Sequence, residues 1–233
     1  MEPLYPIKVQ CTCCEVEYQT SRVRPSFKKS INTDSDFCSY FKTVNPDYYV
    51  VRVCPNCGFA STESFDDRLQ DRKKKLYLDK IGIHWKFRDY GQVRNNAEAL
   101  ECYKLALLTA QVVEEKDRVI AGILHHIVWL YRYDGNVEQE QRFLRYALDA
   151  YIRVFETERG SISNARLMYL IGELHRRLGE YHDAVKWFGR VINDRKIEDA
   201  AMIRASREQW QNIREDMTGR GEELPEEMQN SGA

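Results

Sequence analysis

Cys11 and Cys14 stand two residues apart in VQCTCCEVEY, and Cys54 and Cys57 repeat that gap in VRVCPNCGFAS. No other feature restricts the chain as much, because a C-x2-C turn aims both sulfurs and nearby backbone N–H groups at one point. Two such turns offer four thiolates to a single tetrahedral centre, which suits zinc. Iron is the alternative, since four sulfurs accept either ion by geometry. The 39 residues between Cys14 and Cys54 exceed the roughly 15–20 of a short zinc finger. Loop closure grows only logarithmically with length, so an inserted loop absorbs the difference. Pro55 starts the second turn and Gly58 supplies the permissive backbone after its last sulfur. EVEYQT after the first turn and DYYVVRV before the second are rich in Tyr, Val and Thr and read as short strands. The expectation is a small β zinc ribbon over residues 1–63.

Cys13 permits a second reading of the first knuckle, Cys11 with Cys13 across a one-residue gap, although only Cys14 reproduces the gap of the second knuckle. Cys38, in DSDFCSYF, reads as a small buried residue between the knuckles, with a reactive thiol as the alternative. Asp34 and Asp36 before it read as a solvated loop with Asx turns. Cys102 falls mid-helix and reads as core. Six of the seven cysteines precede residue 58, and an odd, clustered set points to metal ligation in a reducing compartment rather than to disulfides.

From about Ser64 proline nearly vanishes and charges alternate at helical spacing. Ser64 is the expected N-cap of a helix that closes near Gly82, with Asp66 and Asp67 in its first turn. In RLMYLIGELHRRLGEYHDAVKWFGRVI, Met168, Ile171, Gly172 and His175 precede Gly179, Tyr181, Ala184, Phe188 and Val191 at the intervals of a tetratricopeptide helix pair. A second match runs from Leu124 to Ala147, followed by the turn ETERGSISN. Ala99, Tyr103 and Ala106 mark a degenerate third. The helix DAAMIRASREQWQNIREDM would cap the stack. The fold class is therefore mainly α: an N-terminal β ribbon, a tetratricopeptide-like stack over residues 64–217, and a disordered acidic tail over 218–233.

The net charge of -1 gives no global field for polyanions or membranes, so any nucleic-acid contact would rest on the local run SRVRPSFKKS, with Arg22, Arg24, Lys28 and Lys29 on phosphates and Phe27 stacking. That role is the less favoured one. The longest apolar run, IAGILHHIVWLY, is too short to span a bilayer, and the N-terminus lacks a secretory pattern. The expected compartment is the cytoplasm. Adjacent His125 and His126 point in different directions on a helix and cannot easily share an ion. His175 and His182 fall at a repeat position and in a turn. No Ser-His-Asp order, P-loop or Gly-rich dinucleotide fingerprint is visible, and the expectation is a non-enzymatic protein.

VQCTCCEVEYQTSRVR, then DSDFC, then NPDYYVVRVCPNCGFAS, followed by tetratricopeptide-like helices, resembles the bacterial family called domain of unknown function 2225. The resemblance spans most of the chain, and residues 7–61 carry its specific part. It implies Cys11, Cys14, Cys54 and Cys57 as the paired knuckles, with Thr12-Cys13 as a departure from the family's C-P-x-C pattern. It implies no activity. The favoured role is an interaction protein that binds a protein or peptide partner on exposed side chains of the first helices: His126, Arg132, Glu173 and Arg176. A rubredoxin-like iron or thiol redox protein is the alternative, and a nucleic-acid-binding ribbon the third.

Overall fold

The computed structural model describes residues 2–157 and 165–229. Among these it is mainly helical, with three small two-stranded sheets near the N-terminus: β1 (Leu4–Gln10) with β2 (Glu17–Val23), β3 (Ser30–Thr33) with β4 (Ser39–Phe41), and β5 (Arg52–Val53) with β6 (Ala60–Ser61). All three pairs are antiparallel. Helices follow: α1 (Asp71–Lys80), α2 (Asn96–Val112), α3 (Asp117–Tyr133), α4 (Val137–Thr157), α5 (Ala165–Arg177), α6 (Tyr181–Asn193), α7 (Ala200–Arg220) and α8 (Glu226–Gln229).

The chain divides into two compact units, one of residues 1–33 and 38–143, the other of Asp34–Phe37 and Leu144–Ala233. This division differs from the boundary expected at residue 63, because the small hairpins bury their apolar side chains on helices. Val51, Val53 and Ala60 share one core with Ala99, Cys102, Tyr103, Ala106 and Ala110 of α2, and with Val119, Ile123, Ile127 and Leu130 of α3. The α2 set repeats every three to four residues, so it forms one stripe. Three of its members are alanines, which let neighbouring backbones come close. Asn95 starts α2 with a capping box: its side chain accepts from Glu98 N–H at 2.9 Å, and Glu98 accepts from Asn95 N–H at 3.0 Å.

Arg94, just before that cap, is buried. Its guanidinium donates to the carbonyls of Tyr90 (2.6 Å), Val51 (2.7 Å) and Tyr48 (2.9 Å) and lies 3.4 Å from Thr20 Oγ1. One side chain thus joins the first hairpin, the approach to the second knuckle and the start of α2. Carbonyls satisfy its charge-assisted donors where water is excluded.

Two local expectations fail here. The helix placed at Ser64 begins at Asp71, because Thr62 closes a turn on Ser64 and Phe65 (3.2 and 3.3 Å) that carries Phe65 edge-on to Phe59. The strand expected over DYYVVRV is confined to Arg52–Val53. Asn45 accepts from Asp47 N–H at 2.9 Å and Pro46 fixes the next φ, so residues 46–49 turn into a 3-10 helix instead.

In the second unit, α5 and α6 are joined by three residues, which forces α6 back along α5. Gly179, at φ +77°, makes the turn, and Glu180 N–H bonds to His175 O at 2.9 Å. Gly172 sits so near Phe188 that a Cβ there would lie 2.8 Å from Cε1 of the ring. Phe188 packs with Tyr169, Ile213, Met217 and Met228. The tail expected to be disordered over 218–233 therefore contributes a buried side chain: residues 218–220 finish α7, and Met228 lies in α8. Residues 230–233, and most of the turn expected over 156–164, lie outside the described residues.

The acidic loop also departs from expectation. Asp36 is fully buried, as is Glu173. Glu173 accepts from Ser35 Oγ (2.6 Å), from Arg176 (2.7 and 2.8 Å) and from Arg177 Nε (2.9 Å). Arg177 also lies 3.3 Å from Asp36 and 3.6 Å from Asp34, while Tyr169 Oη donates to Ser35 O at 2.8 Å. The carboxylates of DSDFC, Asp36 buried and Asp34 half-buried, are partners of Arg177 in α5 rather than solvated turn formers.

Candidate metal centre

Each knuckle is the loop of a hairpin, and the two loops have one geometry. Gln10 pairs with Glu17 across β1 and β2, and Val53 with Ala60 across β5 and β6, so each loop has six residues, Cys11–Val16 and Cys54–Phe59. Cys11 N–H bonds to Val16 O at 3.0 Å, as Cys54 N–H does to Phe59 O at 3.0 Å. Glu15 N–H bonds to Cys11 O at 2.9 Å, as Gly58 N–H does to Cys54 O at 2.8 Å. The fifth residue of each loop is left-handed: Gly58 at φ +74° and Glu15 at φ +62°. The second knuckle takes the residue that suits this conformation; the first holds a glutamate in it, paired with Lys74 at 2.8 Å.

The two loops face each other. The Sγ atoms of Cys11, Cys14, Cys54 and Cys57 lie within 4.8 Å of one another, with Cys11 3.6 Å from Cys57 and Cys14 3.6 Å from Cys54. Four sulfurs so placed could hold a metal ion. Cys13 is buried beside them, packed with Phe59, Tyr77 and Val113, but its sulfur is outside that set.

Crowding decides the charge of these thiols. Hydrogen bonds from Cys11, and then from Cys57, hold the Cys54 thiol down at about 2. Cys54 in turn pushes Cys11 up to about 12, and Cys11, Cys13 and Cys54 push Cys57 up as well. One thiolate is thus stabilised by neighbours that keep their protons, and a cation at the centre would take the place of those protons.

The surroundings fix the loops. Trp85 Nε1 donates to Pro55 O at 2.9 Å, and its ring covers Gly58 so closely that a Cβ there would lie 2.4 Å from Cδ2 and Cε3. Tyr77 of α1 donates to Cys57 O at 3.3 Å, and burial pushes its phenol up, so it remains a neutral donor. Asn56 Nδ2 lies 3.5 Å from Cys14 Sγ. Sequence reading missed Trp85, Tyr77 and Asn56. Asn56 alone had a signal, its place inside the knuckle.

The four residues expected to face a partner are engaged with the protein. Glu173 is buried in the network described above, and Arg176 is bonded to it. Arg132 pairs with Glu140 at 2.7 Å. His126 stacks on Tyr103 at 5.3 Å, its Nδ1 is 2.8 Å from Gly122 O, and its Nε2 lies 3.9 Å from Asp47. Burial is the first cause raising the Asp47 carboxyl, with His126 opposing it. These positions escaped the packing pattern because polar side chains fill it. Among the candidate phosphate contacts, Arg22 pairs with Glu63 at 3.0 Å and Arg24 lies over Tyr5.

A family model described as "Uncharacterized protein conserved in bacteria (DUF2225)" matches residues 4–213. Comparisons with curated proteins and with solved structures returned no match. No helix among the described residues is long and apolar enough to cross a membrane.

Proposed function

We propose, for a chain that belongs to this family of uncharacterised bacterial proteins, that it is a zinc-stapled interaction protein whose helices present a surface to a protein or peptide. The observation that carries the reading is the four sulfurs within 4.8 Å, offered by two loops of one geometry. With Cys11, Cys14, Cys54 and Cys57 as ligands the tetrahedral set is complete. The ion then holds two hairpins together rather than activating water, the division of labour that separates structural from catalytic zinc. The helix pairs, at tetratricopeptide-like spacing, are the part of the chain that favours binding over chemistry.

Elemental analysis of protein purified without added metal tests the staple, with one zinc per chain as the expected result. Iron accompanied by visible absorption would replace this reading with electron transfer at the same four sulfurs. A metal-free, fully folded protein would remove it.

A further inference from the structure

The first unit carries a groove of about 490 Å³ whose floor is apolar and whose rim is basic. Half-buried Trp85 and Leu105 supply the floor, and exposed Leu108, Lys86, Arg88 and Lys104 stand around it. We infer that this groove docks an acidic segment of another protein that carries bulky apolar side chains. The inference deepens the interaction reading above and rests on it.

Exposed apolar side chains are frequent in the stretch of chain that supplies the groove, and one of them, Leu108, lines it. Of the nine large hydrophobic side chains left exposed among the described residues, five (Leu78, Ile83, Phe87, Val93 and Leu108) fall between residues 78 and 108. Phe87, between Lys86 and Arg88 in sequence, is 78% exposed, and Leu108, in the groove lining, is 45% exposed.

Charge selects the partner. His84 lines the groove as well, and the one carboxylate among the lining residues, Glu101, is already committed: it pairs with Arg88 at 2.7 Å and accepts from Tyr90 Oη at 2.9 Å. Lys86 has no ion-pair partner among the described residues, and Lys104 lies over the Tyr131 ring at 5.4 Å. A ligand that brings carboxylates to the rim and an apolar side chain to the floor meets both needs. A single-stranded nucleic acid would meet the charge, but it binds by stacking bases on a series of aromatic faces. Here the floor is partly aliphatic, and Trp85 already has one face against Gly58. The bond from Trp85 to Pro55 ties the groove floor to the second knuckle.

The test is fluorescence anisotropy on the full-length, metal-loaded protein with a fluorescein-labelled peptide of glutamate and leucine. A glutamate-only peptide, a lysine–leucine peptide and an oligothymidylate are the comparison probes. The glutamate–leucine peptide should bind best, more weakly at high salt, and reversal of the two exposed rim charges (Lys86→Glu with Lys104→Glu) should weaken it by at least about tenfold. Circular dichroism and metal content of that variant should match the parent. No binding of this peptide, equal binding by the charge-reversed variant, or tighter binding of the oligonucleotide would overturn the assignment. A partner held on another face, insensitive to charge reversal, would also overturn the groove while leaving the interaction reading intact. Loss of the zinc staple would show separately, in the metal content.

Discussion

At the scale of the residue, Cys13 and Cys14 are neighbours in sequence with different surroundings. Cys14 has its sulfur in the four-atom set, 3.6 Å from Cys54, whereas Cys13 packs with Phe59, Tyr77 and Val113. Cys14→Ser should therefore abolish stoichiometric metal binding. Cys13→Ser should keep it, with some loss of stability from a hydroxyl packed against Phe59, Tyr77 and Val113 beside Cys57. Metal content of the two variants decides between the knuckle readings, and the reverse pattern would reassign the ligand. Gly58 is a second point at which one atom matters. Its φ of +74° is left-handed, and a Cβ would meet the Trp85 ring at 2.4 Å. The left-handed conformation alone costs a residue with a Cβ about 1–2 kcal/mol. Displacing Trp85 adds to that, so Gly58→Ala should lose at least about 2 kcal/mol in denaturant unfolding. A variant as stable as the parent would show that Trp85 does not rest on the knuckle.

At the scale of the element, α5 and α6 meet where Gly172 lies under Phe188, whose Cε1 and Cδ1 are 2.8 and 2.9 Å from a hypothetical Cβ. Gly172→Leu should drive the helices apart and cost about 1–3 kcal/mol, read as a lower melting temperature with little change in helix content. An unchanged melting temperature would mean that the pair can slide to accept the side chain. This contact was legible, because the spacing of small and aromatic residues in RLMYLIGELHRRLGEYHDAVKWFGRVI encodes it directly. The paired knuckles were legible for the same reason: the two-residue gap is a local property. What could not be read was whatever depended on distant partners. Asp36 and Ser35 look like turn residues until Glu173 and Arg177, far along the chain, are seen to enclose them. Arg94 looks like a surface charge until the carbonyls of distant Tyr48 and Val51, with that of nearby Tyr90, surround it. The late start of α1 was hidden likewise, since Ser64 has the chemistry of a cap and only the burial of Phe65 shows why the chain turns there instead.

At the scale of the whole molecule, the sulfur centre lies within one compact unit, and Gly172 lies within the other. In the first unit the knuckles share their surroundings with α1 and with Val113 at the end of α2, so an ion there would brace the helices as well as the hairpins. A site that binds metal only when folded adds its binding free energy to folding stability. Chelation should therefore weaken the first unit and leave the packing of Phe188 with Ile213 and Met217 in the second untouched. Differential scanning calorimetry of the full chain separates the two effects. Removing the metal should lower one transition, and Gly172→Leu should lower the other, with the shifts adding when both changes are made, because sites that share no partners are independent. A single transition moved by either change would show instead that the two units unfold as one cooperative body.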